Sequence, residues 1–277
     1  MTDMTRDPVL VLGGTGKTGR RLAERLTAKG IPIRIGSRNG APSFDWLDKD
    51  TWGLALEGVG AIYISYYPDI AVPGAADTVD ALARLAVERG VKRLVLLSGR
   101  GETEAQRAEE MVKTSGADWT ILRCAWFSQN FSEGFLVESI LQGEVALPVG
   151  PVGEPFVDVE DIADVAEAVL TRPGHVGQLY ELTGPRLLSF ADAVAEIARA
   201  TGRKISYRQI SNAEFTEAMA AHDLPPDFAW LLNELFTEVL DGRNEMLTDG
   251  VQRALGRQPK DFSTYANATA ATGIWSN

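Results

Sequence analysis

The sequence predicts an α/β fold in which helices cover a doubly wound parallel sheet, with a smaller and mostly helical lobe toward the carboxyl end. Three observations predict it. Apolar, β-branched segments alternate with amphipathic helical segments through about the first 170 residues. Glycines lie between the end of one helical segment and the start of the next apolar one. A glycine-rich turn follows the first apolar segment.

The elements can be placed along the chain from this alternation. Helices are predicted near 17–29, 73–90 and 102–115, and strands near 9–12, 31–36, 60–65, 92–98 and 118–123, with a short, weak strand near 42–46. A further helical segment covers 156–171, where Asp158, Glu160 and Asp161 suit the positive end of a helix. The pattern becomes mostly helical from Ser189, which forms a predicted capping box with Asp192.

Composition and charge exclude several classes of partner. The chain has 277 residues, with 27 basic and 38 acidic side chains, a net charge of −11 and a pI near 4.8. Such a surface repels phosphate, so we expect no nucleic-acid or membrane partner. No run of about 18 apolar residues is present, and residues 1–8 lack the apolar core of a secretory signal. We expect a cytoplasmic protein, with homo-oligomerisation left open.

Metal and disulfide chemistry are not expected. Cys124 is the single cysteine, which excludes an internal disulfide and a multi-cysteine metal cage. His175 and His222 do not form a metal-ligand spacing. The acidic group at the start of the helix near 156–171 is explained by the helix terminus more simply than by a metal.

The most specific local pattern is the glycine-rich turn after the first strand, which reads Gly13-Gly14-Thr15-Gly16-Lys17-Thr18-Gly19. Its glycines permit a tight turn, close approach of backbone amides to a pyrophosphate, and close packing of helix on strand. We therefore predict dinucleotide binding by Gly13, Thr15, Gly16, Lys17, Thr18 and Gly19, with an ordinary glycine turn as the alternative. A Walker loop is excluded because Val11 stands where its first glycine is required.

The end of the second strand bears on the choice of dinucleotide. An acidic residue there would accept the ribose hydroxyls of NAD, but the segment ends Gly36-Ser37-Arg38-Asn39 without an acid. Arg38 is placed to contact a 2′-phosphate, with Lys17 as a second cation. We predict NADPH as the cofactor, with NADH as the alternative; a solvated surface arginine is the competing interpretation of Arg38.

Together these motifs resemble the NmrA-like branch of the atypical short-chain dehydrogenase/reductase superfamily over nearly the whole chain. The resemblance is carried by the glycine loop, Asp45-Trp46, the segment 96–99, the segments 120–123 and 126–130, and the segment 157–163. It implies a Rossmann-type sheet with Asp45 or Trp46 near the adenine and with Ser65, Ser98 and Gly99 toward the nicotinamide. It also implies that residues 123–130 border the substrate.

Reductases of this superfamily commonly carry a tyrosine followed four residues later by a lysine, on the helix predicted here near 102–115. This helix has no tyrosine, and Glu109 or Glu110 stands about where the lysine is expected. The usual acid relay is therefore missing. Either the protein binds the cofactor without turnover, as a redox sensor with a protein partner, or its substrate needs little acid help. A quinone or extended aromatic ketone meets the second condition, because its reduced form is a phenolate-type anion.

Candidate substrate-side residues follow two of the strands. Tyr66 and Tyr67 follow the strand near 60–65 and are candidate catalytic donors, with packing beside the cofactor as the alternative. Trp126 and Phe127 form a candidate aromatic wall for the substrate, with core packing as the alternative. Asn130 is a candidate substrate contact, with a helix N-cap as its alternative.

The sequence therefore predicts an NADPH-dependent oxidoreductase acting on a flat aromatic or quinone-type small molecule, by reduction or by oxygen-dependent hydroxylation. A non-catalytic redox sensor is the alternative. We predict an NAD(P)-binding domain over 1–188, with some substrate-side elements after about residue 130. A helical substrate or lid lobe over 189–277 is predicted not to fold by itself.

Overall fold

The computed structural model describes residues 7–221 and 226–276, which divide into two compact units. The first unit takes the described residues of Met1–Cys124, Glu160–Leu182 and Gly250–Arg257. The second unit takes those of Ala125–Val159, Thr183–Asp249 and Gln258–Asn277. His222 and most of the segment 1–8, on which we made predictions above, lie outside the described residues.

Parallel strands form the centre of the first unit. The strands of the chain are β1 (Val9–Leu12), β2 (Ile33–Gly36), β3 (Ala61–Ile64), β4 (Arg93–Gly99), β5 (Asp118–Cys124), β6 (Glu144–Leu147), β7 (Gln178–Leu182) and β8 (Ser206–Gln209). Six of them form one parallel sheet in the order β2-β1-β3-β4-β5-β7. Leu10, Val11 and Leu12 are fully buried, as expected for a strand covered on both faces. The predicted α/β fold is confirmed.

Helices occupy most of the remaining chain. They are α1 (Lys17–Ala28), α2 (Trp52–Leu56), α3 (Ala75–Glu88), α4 (Thr103–Lys113), α5 (Leu136–Gln142), α6 (Val159–Thr171), α7 (Phe190–Thr201), α8 (Asn212–Ala221), α9 (Pro226–Glu234), α10 (Gly250–Leu255) and α11 (Phe262–Ala270). The predicted capping box is confirmed, because Ser189 and Asp192 exchange side-chain and backbone hydrogen bonds at the start of α7. Within the described residues, no helix is both long and apolar enough to span a membrane.

The weak strand predicted near 42–46 is wrong. That stretch contains only an isolated bridge between Asp45 and Asp48. The Trp52 indole N–H donates to the Asp45 carbonyl at 2.7 Å, and the Phe44 ring stacks on the Trp52 ring at 6.1 Å. Pro42 has no amide hydrogen to give to a ladder. Local turns and aromatic packing therefore replace strand pairing here.

The acidic residues at the start of α6 pair with basic residues of the same unit. The Glu160 carboxylate binds Arg21 at 2.5 Å and Arg25 at 2.6 Å, and Asp161 binds Arg257 at 2.7 Å. These pairs explain the acidic group without a metal. No cluster of side chains suited to a metal ion is found among the described residues.

Aromatic side chains dominate the core of the second unit. Phe131, Phe156 and Phe190 are at most 2% exposed, with ring centroids 5.2–5.8 Å apart. The parallel pair β6 and β8 and the helices α5, α7 and α11 contribute further apolar residues to this core. A π-helical turn, Leu235–Val239, follows α9 directly.

Candidate functional site

The glycine loop of the first unit packs too tightly for side chains. Gly13 has a φ of +66°, and its carbonyl accepts a hydrogen bond from the Gly16 amide at 2.8 Å. A Cβ on Gly19 would stand 2.3 Å from the Gly13 oxygen, well inside van der Waals contact. Glycine at these two positions therefore permits the tight turn and lets α1 begin directly on the loop.

The first turn of α1 has the electrostatic character of an anion site. Its N-cap is Gly16, which has no side chain to accept hydrogen bonds from the first amides of the helix. No acidic residue stands in the first turn, and Lys17 contributes a positive charge there. The partial positive charge of the helix terminus adds to that of Lys17. These features suit a pyrophosphate.

The sheet topology places this loop where ligands of open α/β sheets bind. The chain runs from β1 to its neighbour β2 and then to β3 on the other side of β1, so the strand order reverses at β1. The crevice at the carboxyl ends of β1 and β3 is therefore the expected ligand position. Gly13 and Ser65 lie at those ends, and a Cβ on Gly13 would come within 3.1 Å of the Ser65 side chain.

Arg38 follows β2 and is exposed. Its carbonyl accepts a hydrogen bond from the Ser43 hydroxyl at 3.0 Å, which holds the backbone of the turn. No carboxylate of the described residues lies within ion-pair distance of its guanidinium. The charged end of Arg38 is thus available to an anion at the end of β2.

Asp45, Trp46 and Tyr66 come together in the first unit. The Trp46 and Tyr66 ring centroids are 4.7 Å apart, and Trp46 also packs edge-on against Phe44 at 5.0 Å. One Asp45 carboxylate oxygen accepts from the Leu47 amide at 3.0 Å. Tyr66 is half-buried, whereas the neighbouring Tyr67 is 70% exposed. An aromatic surface therefore stands beside the loop that follows β3.

Two ionisable groups near this loop have shifted pKa values. Burial raises the pKa of the Asp69 carboxyl, and the Ala71 amide and the Lys17 ammonium partly oppose the rise. Lys17 thus interacts electrostatically with Asp69. Burial also raises the pKa of the Tyr63 phenol, which is fully buried within β3. Tyr63 is therefore a core residue and not an acid at neutral pH.

Ser98 takes part in a buried polar network. Its hydroxyl donates to the Glu109 carboxylate at 2.6 Å, and Arg123 donates to the same carboxylate at 2.8 and 2.5 Å. Arg123 also binds Glu181 at 3.1 Å, and these carboxylates raise the pKa of the Arg123 guanidinium. Glu109 is fully buried on the face of α4 that meets the sheet. The Ser98 hydroxyl is therefore turned toward Glu109.

Glu109 and Glu110, which the sequence places about where the family resemblance implies a lysine, differ in their surroundings. Glu109 lies buried against Arg123, while Glu110 is exposed and pairs with Lys113 at 2.7 Å. Sequence reasoning noticed the missing lysine but not the ion pair. The sequence did contain a signal for the ion pair. Glu109 stands on the apolar face of α4, next to Ala108 and three residues before Val112, where a carboxylate needs a partner.

Gly99 and Cys124 lie side by side on β4 and β5. A Cβ on Gly99 would stand 2.1 Å from a carboxylate oxygen of Glu102, so a larger residue at position 99 would require the Glu102 side chain to move. Cys124 is buried, and burial raises the pKa of its thiol well above the usual value. The interpretation of Cys124 as a small buried residue and not a nucleophile agrees with this environment.

The segment carrying Trp126, Phe127 and Asn130 belongs to the second unit. The Trp126 ring packs against Phe190 at 5.6 Å and Phe236 at 5.2 Å. Phe127 forms an isolated parallel bridge with Val157 and is the N-cap of a 3₁₀ turn over Ser128–Phe131. All three predicted residues are half-buried. Asn130 lies inside that turn, so its assignment as an N-cap is wrong.

Gln129 is a residue of this segment that sequence reasoning missed. Its amide nitrogen donates to Asp158 at 2.7 Å, and its amide oxygen accepts from the Val159 backbone at 2.9 Å. Gln129 therefore fixes the segment to the start of α6. Its neighbour Asn130 has no side-chain hydrogen bond to another described residue, which leaves that amide for a ligand.

Comparisons with known proteins agree with this geometry. A family model described as NAD(P)H-binding matches residues 13–173. The chain is 33% identical to an uncharacterized oxidoreductase, YesF, of Bacillus subtilis (strain 168), over 98% of this chain and 99% of that protein. It is 31% identical to festuclavine synthase II of Penicillium roqueforti (strain FM164), over 93% of this chain and 96% of that protein.

One solved structure similar to this chain is the NADPH-dependent quinone oxidoreductase QOR2 of Escherichia coli complexed with NADPH. The TM-score is 0.79 at 22% identity, and the match covers 94% of this chain and 99% of that chain. At 22% identity, this similarity shows the fold alone.

Proposed function

The chain belongs to the NAD(P)H-binding family, as its resemblance to NmrA-like short-chain dehydrogenases/reductases predicts, and we propose from that premise that it reduces a flat aromatic small molecule with NADPH. It is an NAD(P)H-dependent oxidoreductase. The observation that carries the cofactor assignment is the glycine cradle, where a Cβ on Gly19 would stand 2.3 Å from the Gly13 oxygen. A dinucleotide suits this loop because Gly13 and Gly19 permit close approach of the backbone and α1 begins directly on the loop.

The end of β2 favours NADPH over NADH. The segment after Gly36 holds Arg38 and no acidic residue, so it offers a positive charge to a 2′-phosphate and no partner to a ribose diol. A guanidinium forms a charge-assisted contact with a phosphate. Lys17 interacts with Asp69 and is therefore assigned to the pyrophosphate end of the site more than to the 2′-phosphate.

The substrate class is inferred from what the site lacks. When bound, the reduced nicotinamide supplies a hydride. Reduction of a simple carbonyl would also need a positioned proton donor. Here Glu109, which stands about where the family's lysine is expected, is instead paired with Arg123. A quinone-type ring needs less help, since its reduced form is a phenolate with a conjugate-acid pKa of about 10. The similarity to the NADPH-dependent quinone oxidoreductase QOR2 is consistent with this substrate class.

Tyr66 is our first candidate for a hydrogen bond to the substrate. Its ring is held against Trp46, and its hydroxyl has no hydrogen-bond partner in the described part of the chain. Tyr67 is the second candidate and is more exposed. We propose Trp126, Phe127 and Asn130 as aromatic and amide contacts to the substrate. Hydride transfer then depends on position and oriented hydrogen bonds.

The first experiment is NADPH consumption by the purified protein across a panel of quinones and polycyclic aromatic ketones, with and without oxygen. NADH serves as the cofactor control. We expect turnover without oxygen and faster reaction with NADPH. Turnover that requires an equal uptake of oxygen would replace reduction by hydroxylation. Tight NADPH binding without turnover on the whole panel would contradict the proposal and favour a redox sensor.

Two matched variants test the donors. Tyr66→Phe and Tyr67→Phe remove one hydroxyl each and keep the ring, so packing on Trp46 is retained in the first variant. We expect Tyr66→Phe to lower kcat and Tyr67→Phe to have the smaller effect. Full activity in both variants would remove the two tyrosines from the mechanism while leaving the reductase assignment in place.

We also propose a cytoplasmic location and a small-molecule partner. The location rests on the single cysteine, which fits a reducing compartment, and the small-molecule partner rests on the NAD(P)H-binding family model.

A further inference from the structure

The indole N–H of Trp126 is buried and has no hydrogen-bond acceptor among the described residues. Buried indole N–H groups usually find an acceptor, because leaving one unsatisfied costs free energy. Ser128 is 1% exposed, and its hydroxyl also has no hydrogen-bond partner among the described residues. Two unsatisfied polar groups thus lie two residues apart on this segment.

The ring of Phe236 covers Trp126 from a segment of unusual backbone geometry. Phe236 lies on the π-helical turn Leu235–Val239, in which the Leu240 amide donates to the Leu235 carbonyl at 3.2 Å. Such turns are rare and are frequently found at functional sites. The Phe236 ring is 5.2 Å from Trp126 and is itself 2% exposed. An aromatic ring therefore already packs on the indole that carries the unsatisfied N–H.

We propose that a flat aromatic ligand takes the place of the Phe236 ring beside Trp126 and accepts a hydrogen bond from the indole N–H. This inference rests on the proposed function and makes Trp126 a specificity-determining residue. The ligand class is a planar ring that carries a carbonyl oxygen at its edge. The exchange keeps an aromatic contact on the indole and satisfies a donor that is otherwise without an acceptor.

The arrangement selects by chemistry as well as by shape. A hydrocarbon ring of the same size and shape would pack on the indole as Phe236 does, but it would leave the indole N–H without an acceptor. A quinone-type ring would make the same packing contact and supply the acceptor. Sites that hydrogen-bond a ligand group discriminate against analogues that lack it. Trp126 therefore favours the oxygen-bearing ring over its hydrocarbon analogue.

The experiment observes the indole N–H directly. Protein labelled with ¹⁵N-tryptophan and saturated with NADP⁺ is titrated with 9,10-phenanthrenequinone or with phenanthrene, and the indole cross-peaks of its six tryptophans are followed by NMR. Trp126→Phe identifies the Trp126 cross-peak. We expect the quinone to move that proton downfield and phenanthrene not to do so. Since no described residue accepts from the indole N–H, Trp126→Phe removes no hydrogen bond of the fold.

Affinities give a second measurement. Trp126→Phe should weaken phenanthrenequinone binding about three- to tenfold and change phenanthrene binding by less than about twofold. Phe236→Leu removes the competing ring and should tighten binding of both probes. The matched control is Phe215→Leu, because the Phe215 ring packs on Phe236 at 5.2 Å and has a similar burial.

The outcomes separate this inference from the proposed function. If phenanthrenequinone is reduced by NADPH but leaves the Trp126 cross-peak unmoved, or moves it as phenanthrene does, the inference is wrong and the reductase stands. The same conclusion follows if Phe236→Leu weakens binding of both probes as Phe215→Leu does. If neither probe binds and no quinone is reduced, both proposals fail.

Discussion

Replacing Arg38 with alanine tests the choice of cofactor. The guanidinium is exposed and has no carboxylate partner in the described part of the chain, so the substitution breaks no ion pair of the fold. It should therefore act on the ligand and not on stability. Under our proposal NADPH loses a charge-assisted contact to its 2′-phosphate, and NADH, which has no such phosphate, loses nothing.

The magnitude follows from the exposure of the site. A hydrogen bond to a charged group contributes about 1.5–3 kcal/mol, and each 1.4 kcal/mol is about tenfold in Kd. Water and salt screen an exposed phosphate contact, so the lower end of that range applies to Arg38. We expect the Kd of NADPH to rise about tenfold in Arg38→Ala, with the NADH value within about twofold of the wild type.

The assay is titration of nicotinamide fluorescence at two ionic strengths. Arg84→Ala is the matched control, because Arg84 is also exposed but pairs with Asp80 at 2.9 Å on α3. In the wild type, the ratio of the NADH Kd to the NADPH Kd should fall as the salt concentration is raised. In Arg38→Ala, this ratio should change little. Equal weakening of both cofactors, or no weakening of either, would refute the assignment of Arg38 to the 2′-phosphate.

Three further predictions concern the loop, the buried network and the acid response. Gly19→Ala should raise the Kd of NADPH more than tenfold, because its Cβ would stand 2.3 Å from a loop carbonyl oxygen; fluorescence titration checks this, and unchanged binding contradicts it. Glu109→Ala should lower the free energy of unfolding in urea by about 1.5–3 kcal/mol by removing one carboxylate partner of the partly buried Arg123, whereas Glu110→Ala at an exposed pair should cost less than about 1 kcal/mol. Similar losses in both variants would contradict the buried ion pair. The Arg186 guanidinium lowers the pKa of the Asp261 carboxyl, so the stability it contributes is present above about pH 4 and is lost as the pH falls below that value. Urea midpoints measured from pH 6 to pH 2 should therefore fall less in Asp261→Asn than in the wild type, and parallel falls would contradict the assignment.

Much of the fold of the first unit follows from local signals in the sequence. The apolar run of β1 and the glycine loop after it are contiguous, so burial and backbone freedom could be inferred together. The stretch around Phe44 shows the limit. Its apolar and aromatic residues suggest a strand, but its contacts are with Trp52, whose ring position depends on a separate helix.

The candidate site was predictable where chemistry lies in consecutive residues. The glycine loop is such a case, and the position of the loop after β3 at the ligand-binding edge was expected from the rule that ligands bind at the carboxyl ends of strands. The partners of Glu109 were not predictable, because Ser98 and Arg123 come from two other elements. The unsatisfied indole of Trp126 was equally out of reach, since a missing partner is visible only once every neighbour has been placed.

The ion pair between Glu109 and Arg123 explains why a single lysine at this position would not restore the missing relay. A lysine near position 109 would have to replace the carboxylate that neutralises Arg123, which would set two positive charges against each other in a buried place. Conversely, a phenol placed near the Glu109 carboxylate would have its pKa raised by a like charge, which is the opposite of what an acid needs. The first unit therefore holds a fixed ion pair at Glu109, about where the family resemblance implies a lysine. A substrate compatible with this arrangement is one whose reduced form holds its negative charge on an aromatic oxygen, and that requirement is the physical link between Glu109 on α4 and the quinone-type ring that we propose.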